Sequence, residues 1–362
     1  MNNFFVKKII GIAVIISIST LVFYWIAFCD SNIYLNEKVW SQIQPKKSSA
    51  VSELIDNLEA GVTPEWLADF APVVWFHPDE IYKTTDPQEL LQHTEIVYRE
   101  LYPGLTFFSR EKVNLGPFNA KALASFEYKT FKPTDVVSRI FENGSVLGGR
   151  AGFELSYDPD QTMSLPPPLF WRISKNPVFA EIQPPSSDEL LLPIEFWFHY
   201  NFNKTGVWIA NHDGDWESTL ILLKVKFSEG RFNVSRFMVS ATAHGGSRWH
   251  CDKNLGHQGQ HAELYSALGT HASYVDAGYH WRGPYPDRTA RGSPWETWRL
   301  MRPVVKESFY GFSGSWGASS FIHFQTAPIA PGPQFKYLPA QTNVNLALRD
   351  FKNAAAVCEE PL

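Results

Sequence analysis

The sequence predicts a mainly β fold: a β-sandwich-like domain with a few peripheral helices, preceded by one N-terminal transmembrane helix. Three observations lead there. Aromatic residues make up 15% of the 362 positions, and 25 Pro and 23 Gly are spread along the chain. Such punctuation favours many short strands joined by turns over a helical bundle. Leu192–Phe202 alternates cleanly, with Ile194, Phe196, Phe198 and Tyr200 on one face and Glu195, Trp197 and His199 on the other. Finally, the uncharged, mostly apolar run Ile9–Phe28 stands behind Lys7 and Lys8. At helical rise such a run spans about 30 Å, the thickness of a bilayer core.

In chain order, residues 1–29 read as the anchor, 30–49 as a polar linker, 50–340 as the β-sandwich domain and 341–362 as a C-terminal helix and tail. The lysines ahead of the apolar run place the N-terminus in the cytoplasm and the main domain outside the cytoplasm or in a lumen. A removed signal, giving a secreted protein, is the alternative, although Ile26-Ala27-Phe28 lacks the small residues of a cut site. Val51–Leu58 reads as a short helix. Thr63-Pro64 offers an N-cap followed by proline at the first helical position. Phe70–Phe76 reads as a strand entering His77-Pro78-Asp79-Glu80, and Asp86-Pro87-Gln88-Glu89 as a capped helix start. Signals weaken over Leu105–Gly152. Beyond Leu192–Phe202, strands are expected at Ser218–Phe227 and Phe232–Ala243, then a polar, His-rich loop to His261 and a terminal helix over Val344–Ala356.

A net charge of −5 without a basic stripe gives no support for a nucleic-acid partner. Cys29 ends the apolar run, so only Cys251 and Cys358 could pair within the globular part; the sequence leaves that pairing open, and no CxxC suggests a zinc knuckle.

The chemistry concentrates in Asn211-His212-Asp213-Gly214-Asp215-Trp216-Glu217. Read as a polar turn feeding a buried strand, it can point His212, Asp215 and Glu217 to one side. Three carboxylates this close repel unless a cation or a proton sits among them. Oxygen ligands with one imidazole suit a divalent metal ion such as Mg, Mn, Ca or Zn. His212, Asp215 and Glu217 are the expected ligands, with Asp213 a fourth ligand or an orienting group. His244 and His271 lie on loops that could complete the site. No Gly-x-Ser-x-Gly, phosphate-binding glycine loop or HExxH is present.

Five pieces occur in a telling order: FAPVVWFHPDE over Phe70–Glu80, Phe196–Phe202 with HDGDWE over His212–Glu217, His244-Gly245-Gly246, YSALGTHASY over Tyr265–Tyr274, and Ser315-Trp316-Gly317. In this order the chain resembles the family of vacuolar protein sorting-associated protein 62, over roughly Phe70 to His323. HDGDWE is also similar to the GHRHDWE heptapeptide of the necrosis-inducing protein toxins, which are β-sandwiches binding a divalent cation beside a sphingolipid-glycan site. That similarity implies metal-binding roles for His212, Asp215 and Glu217. The toxins' upstream aspartate has only Asn201 or Asn203 as counterpart here. Asp213 and Gly214 replace the toxins' Arg and His, so cytolytic activity does not carry over.

Three functions fit these residues. A metal could bridge an anionic or sugar headgroup, a glycan or a lipid, at a membrane or cell surface. A metal-bound water could serve a hydrolase, with His271 or His244 handling the proton. Or the motif could be structural in a trafficking or envelope-interaction protein. Whether the chain is an enzyme is left open by the sequence.

Overall fold

The computed structural model describes residues 46–92, 94–101, 108–112, 152–156, 165–174, 179, 182–204, 211–243, 246–281, 286–307, 309–310, 315–316 and 353–358. The apolar run Ile9–Phe28, its linker, His244 and most of the expected terminal helix lie outside them. Among the described residues no helix is long and apolar enough to cross a membrane.

Val51, Leu54, Ile55 and Leu58 recur at helical spacing and form the buried stripe of α1 (Ser49–Glu59). Thr63-Pro64 does not open the next helix. It is α2 (Leu67–Phe70), a single turn that starts after Trp66 and ends before Pro72. The following strand is consequently only β1 (Val73–Phe76). α3 (Pro87–Leu91) begins as its sequence predicts: Asp86 accepts the Gln88 N–H at 2.9 Å, with proline at the first helical position. Next come β2 (Glu95–Leu101), β3 (Phe108–Lys112), β4 (Gly152–Ser156) and β5 (Leu169–Ile173). The long strands are β6 (Glu189–Asn203), β7 (His212–Ser228) and β8 (Arg231–Ala243). Shorter ones follow: β9 (Gly246–Cys251), β10 (His257–Gln258), β11 (His261–Ser266), β12 (Ser273–Tyr274), β13 (Gly278–Trp281) and β14 (Pro286–Thr289). β15 (Pro294–Glu296), β16 (Met301–Pro303), β17 (Ser315–Trp316) and a last helical turn, α4 (residues 353–358), complete the set.

The fold is mainly β, in mixed sheets with few helices. One sheet runs β16-β5-β6-β7-β8-β9 and is antiparallel except where β16 joins β5. A second runs β10-β11-β1-β15, with β12 also on β11 and β1 parallel to β11. β17-β4-β2-β3 form a third sheet, and β13-β14 a separate two-stranded ribbon. Ile194, Phe196, Phe198, Ile221 and Leu223 of the first sheet share one core with Val74, Phe76, Ala262 and Leu264 of the second. The opposite face of β6 is buried too: Trp197 packs with Phe170, Trp216 and Phe309, and Glu195 pairs with Arg172 at 2.5 Å while accepting from Ser174 and Trp197. β6 is thus fixed from both sides.

Two expectations are corrected here. HDGDWE is no turn ahead of a strand but the first part of β7 itself, paired to β6 as Asn203↔His212, Phe202↔Asp213 and Tyr200↔Asp215. Gly214, at φ +66, supplies the local kink that a turn was expected to supply. The His-rich stretch after β8 is no open loop: it continues as β9, whose ladder pairs Trp249 with Ser240. Cys251 and Cys358 are joined by a disulfide, which fastens α4 beside β9.

Candidate functional site: a carboxylate cluster around His271

The site forms where the ends of β6 and β7 meet the tight loop Ala267–Ala272. The loop closes on itself through His271 N–H to Ala267 O (2.9 Å) and Ala267 N–H to Ala272 O (3.0 Å). Gly269 brings it against the end of β6. Its carbonyl accepts the Lys204 N–H at 2.8 Å, and at φ +74 a Cβ there would stand 2.0 Å from the Lys204 oxygen. His271 itself is left-handed, at φ +55, unusual for a residue with a side chain and met mostly where surroundings impose it.

This backbone delivers the His271 ring into the interior, with no exposure to solvent. Its Nδ1 lies 2.9 Å from Asp215 Oδ2, and its Nε2 lies 3.6 Å from Glu80 Oε2, an ion-pair distance but too long for a hydrogen bond. The ring is parallel to that of Tyr200, with centroids 3.8 Å apart, and the Tyr200 hydroxyl is 3.0 Å from Ser266 Oγ. Glu80 is held by backbone donors, accepting from Gly269 N–H (2.6 Å) and Tyr82 N–H (2.7 Å). Asn203 donates to Asp215 Oδ2 (3.3 Å) and to the Thr270 carbonyl (3.4 Å), and its buried Oδ1 has no hydrogen-bond partner among the described residues. Asp287, on β14, accepts from Thr270 Oγ1 (2.8 Å) and the Tyr274 hydroxyl (2.6 Å).

Charge explains the protonation states. Burial pushes His271 down, but the hydrogen bond to Asp215 and the charges of Asp215 and Glu80 outweigh it and hold the imidazole above its ordinary value. Burial likewise pushes Glu80 up, and His271 with the two backbone amides brings it below the usual carboxylate range. Glu217 goes the other way. Burial and then the charges of Asp215 and Asp287 raise it well above a normal carboxyl, against the Ser218 N–H. His199, buried behind the cluster with Nδ1 3.1 Å from Thr85 Oγ1, falls to about 3, burial outweighing the attraction of Asp215. Glu80 and Asp215 thus flank one imidazole, while Asp215 and Asp287 add negative charge around Glu217.

Of the residues expected from the sequence, Asp215, His271 and Asn203 meet in direct contact. Glu217 lies two positions further along β7, opposite Phe198, and Asp213 lies two positions before Asp215, opposite Phe202. His212 is placed in β7 by its backbone, whereas its side chain and the whole of His244 fall outside the described residues. Among the described residues, no three His, Cys, Asp or Glu side chains converge on one point as a ready-made metal cage. Sequence reasoning missed Glu80, Asp287 and Tyr200. Glu80 ended a motif that had already been singled out, so its acid was visible though its partner was not; Asp287 carried no local signal.

Comparisons with family models, with curated proteins and with solved structures give no match for this chain.

Proposed function

We propose that this chain is a membrane-tethered binding protein. In this reading the two sheets sharing a core form a β-sandwich, Ile9–Phe28 is its single-pass anchor, and the domain faces a lumen or the extracytoplasmic side. A divalent cation held at the start of β7 binds an anionic or sugar headgroup. The observation that carries it is the meeting of Glu80, Asp215 and Asn203 at the His271 loop, with Glu217 two residues along β7 and raised well above a normal carboxyl by burial and the charges of Asp215 and Asp287. A divalent ion there would offset those negative charges. Asp215 and Glu217 would be its donors, Asp213 stands at the outer end of the row, and Asn203 Oδ1, without a hydrogen-bond partner among the described residues, offers a neutral oxygen. Because His271 spends Nδ1 on Asp215, it serves as the group orienting that carboxylate rather than as a ligand. The described donors are oxygens, which favours Mg, Mn or Ca over Zn.

The resemblance of the ordered motifs to the vacuolar protein sorting-associated protein 62 family is part of the same reading. So does the Cys251–Cys358 disulfide, since such bridges persist in oxidising compartments. A hydrolase is less well served, because the His271 ring lies buried between two carboxylates with Nδ1 already spent on Asp215.

The test is metal content by mass spectrometry on the purified full chain, with Asp215→Asn and Glu217→Gln, and melting with and without chelator. Near-stoichiometric metal that both variants lose supports the site. A metal-free native protein whose melting ignores chelator refutes it and leaves HDGDWE as a structural strand end.

A further inference from the structure

The β13-β14 ribbon has two unlike faces. Inward, His280 stacks on Tyr274 with centroids 3.7 Å apart, and Asp287 receives Thr270 and Tyr274. Outward, Tyr279 and Trp281 stand 75% and 74% exposed, two residues apart on one strand and so on one face. Across the ladder, opposite Tyr279, lies the exposed Arg288. Ile81, 70% exposed, belongs to the neighbouring loop, which Glu80 ties to Gly269 as the Arg288 carbonyl ties Leu268. Two ring systems in water beside a cation, mounted on a ribbon braced from behind, are an unusual surface for a protein otherwise so rich in buried aromatics.

We propose that this outward face is a bilayer contact, with Tyr279 and Trp281 seated at the headgroup level and Arg288 on lipid phosphate. It rests on the reading of Ile9–Phe28 as an anchor. Trp and Tyr prefer the membrane–water boundary, where an apolar ring and a polar edge are both satisfied, and arginine pairs with phosphate. Two rings bind a membrane only weakly on their own, but a tether raises the effective concentration and makes a weak second contact count.

The geometry says how the domain would lie. The chain enters the described region beside the start of β6, where Lys47 Nζ donates to the carbonyls of Pro184, Ser186 and Glu189. The ribbon sits at the far end of β6, roughly 46 Å away at strand rise. Contact through the ribbon therefore turns that end of β6 to the bilayer, with the entry end of β6 the farther of the two.

The test uses the full chain in phosphatidylcholine–phosphatidylserine vesicles, in a Cys29→Ser background, with a nitrobenzoxadiazole label on Ala277→Cys, an exposed position that leaves the ribbon intact. A second label on Arg231→Cys, at the other end of β8, is the control. Doxyl-phosphatidylcholine in the same vesicles is expected to quench the first label and not the second, and Tyr279→Ser with Trp281→Ser is expected to abolish that quenching. A chain that floats with the vesicles yet shows equal quenching at both positions overturns the ribbon contact and leaves the anchor standing. A chain that does not float overturns the anchor, and the contact with it. A label that responds to chitohexaose or maltoheptaose but not to doxyl lipid overturns the proposal in favour of a glycan-stacking face.

Discussion

Replacing Gly269 by alanine asks whether the close approach of the 267–272 loop to β6 matters. The new Cβ would stand 2.0 Å from the Lys204 carbonyl oxygen, so the loop must retreat by more than an ångström. The retreat strains two bonds at once, Lys204 N–H to the Gly269 carbonyl (2.8 Å) and Gly269 N–H to the Glu80 carboxylate (2.6 Å). A neutral hydrogen bond contributes about 1 kcal/mol net and one to a charged group about 1.5–3. A left-handed alanine adds about 1–2 kcal/mol. Together these give a loss of about 3.5–6 kcal/mol. Gly230 is a matched control, at φ +73 with nothing within 4 Å of its Cβ position, and Gly230→Ala is expected to lose only the conformational part, about 1–2 kcal/mol. Urea unfolding of both variants reads the difference directly. Equal losses would refute the account, because they would mean that the loop does not press on β6 and that His271 is positioned by something else.

Further expectations concern the buried charges and the bridge. Glu195→Gln removes the carboxylate that pairs with the buried Arg172 and is expected to lower stability by about 3–5 kcal/mol, read from the same unfolding curves. Cys358→Ser, or reduction, opens a loop of 107 residues and is expected to remove up to about 4–5 kcal/mol; an unfolding midpoint blind to reductant would contradict this. His199 stays neutral in the fold down to about pH 3, whereas in the unfolded chain it titrates near its ordinary 6.5. The unfolded state therefore binds the extra proton, and stability falls as pH drops below 6.5, by about 2 kcal/mol at pH 5 from this group. His199→Phe should remove that part of the acid sensitivity. His271 acts in the opposite sense: its raised value gives stabilisation that is complete below about 6.5 and fades as pH climbs through its folded value. Asp215→Asn should therefore flatten the alkaline side of the stability profile, which a pH series of melts would show.

The long strands were legible because period-2 burial is written locally: Leu190, Leu192, Ile194, Phe196, Phe198 and Tyr200 all enter the same core. The Asp86 cap was legible for the same reason, since donor and acceptor are two residues apart. β9 and the β13-β14 ribbon were not, because four to six residues hold too few alternations to outweigh a polar composition. At the site, Asp215 could be singled out by its neighbours in sequence, yet its pairing with His271 spans 56 residues and that of Glu80 with Gly269 spans 189. Such contacts are set by packing of the two sheets, not by any local pattern. That also explains why His271 could be marked as a candidate ligand but not as the partner of a carboxylate.

The disulfide makes one ring of everything between Cys251 and Cys358, and that ring contains the His271 loop, Asp287 and the outward aromatic ribbon. A protease that cuts once anywhere inside it opens the backbone without parting the molecule. Both pieces stay covalently joined, so a nicked protein would migrate as two fragments only after reduction. In a compartment rich in proteases, the segment that carries His271 and Asp287 can be cut there and still not be lost.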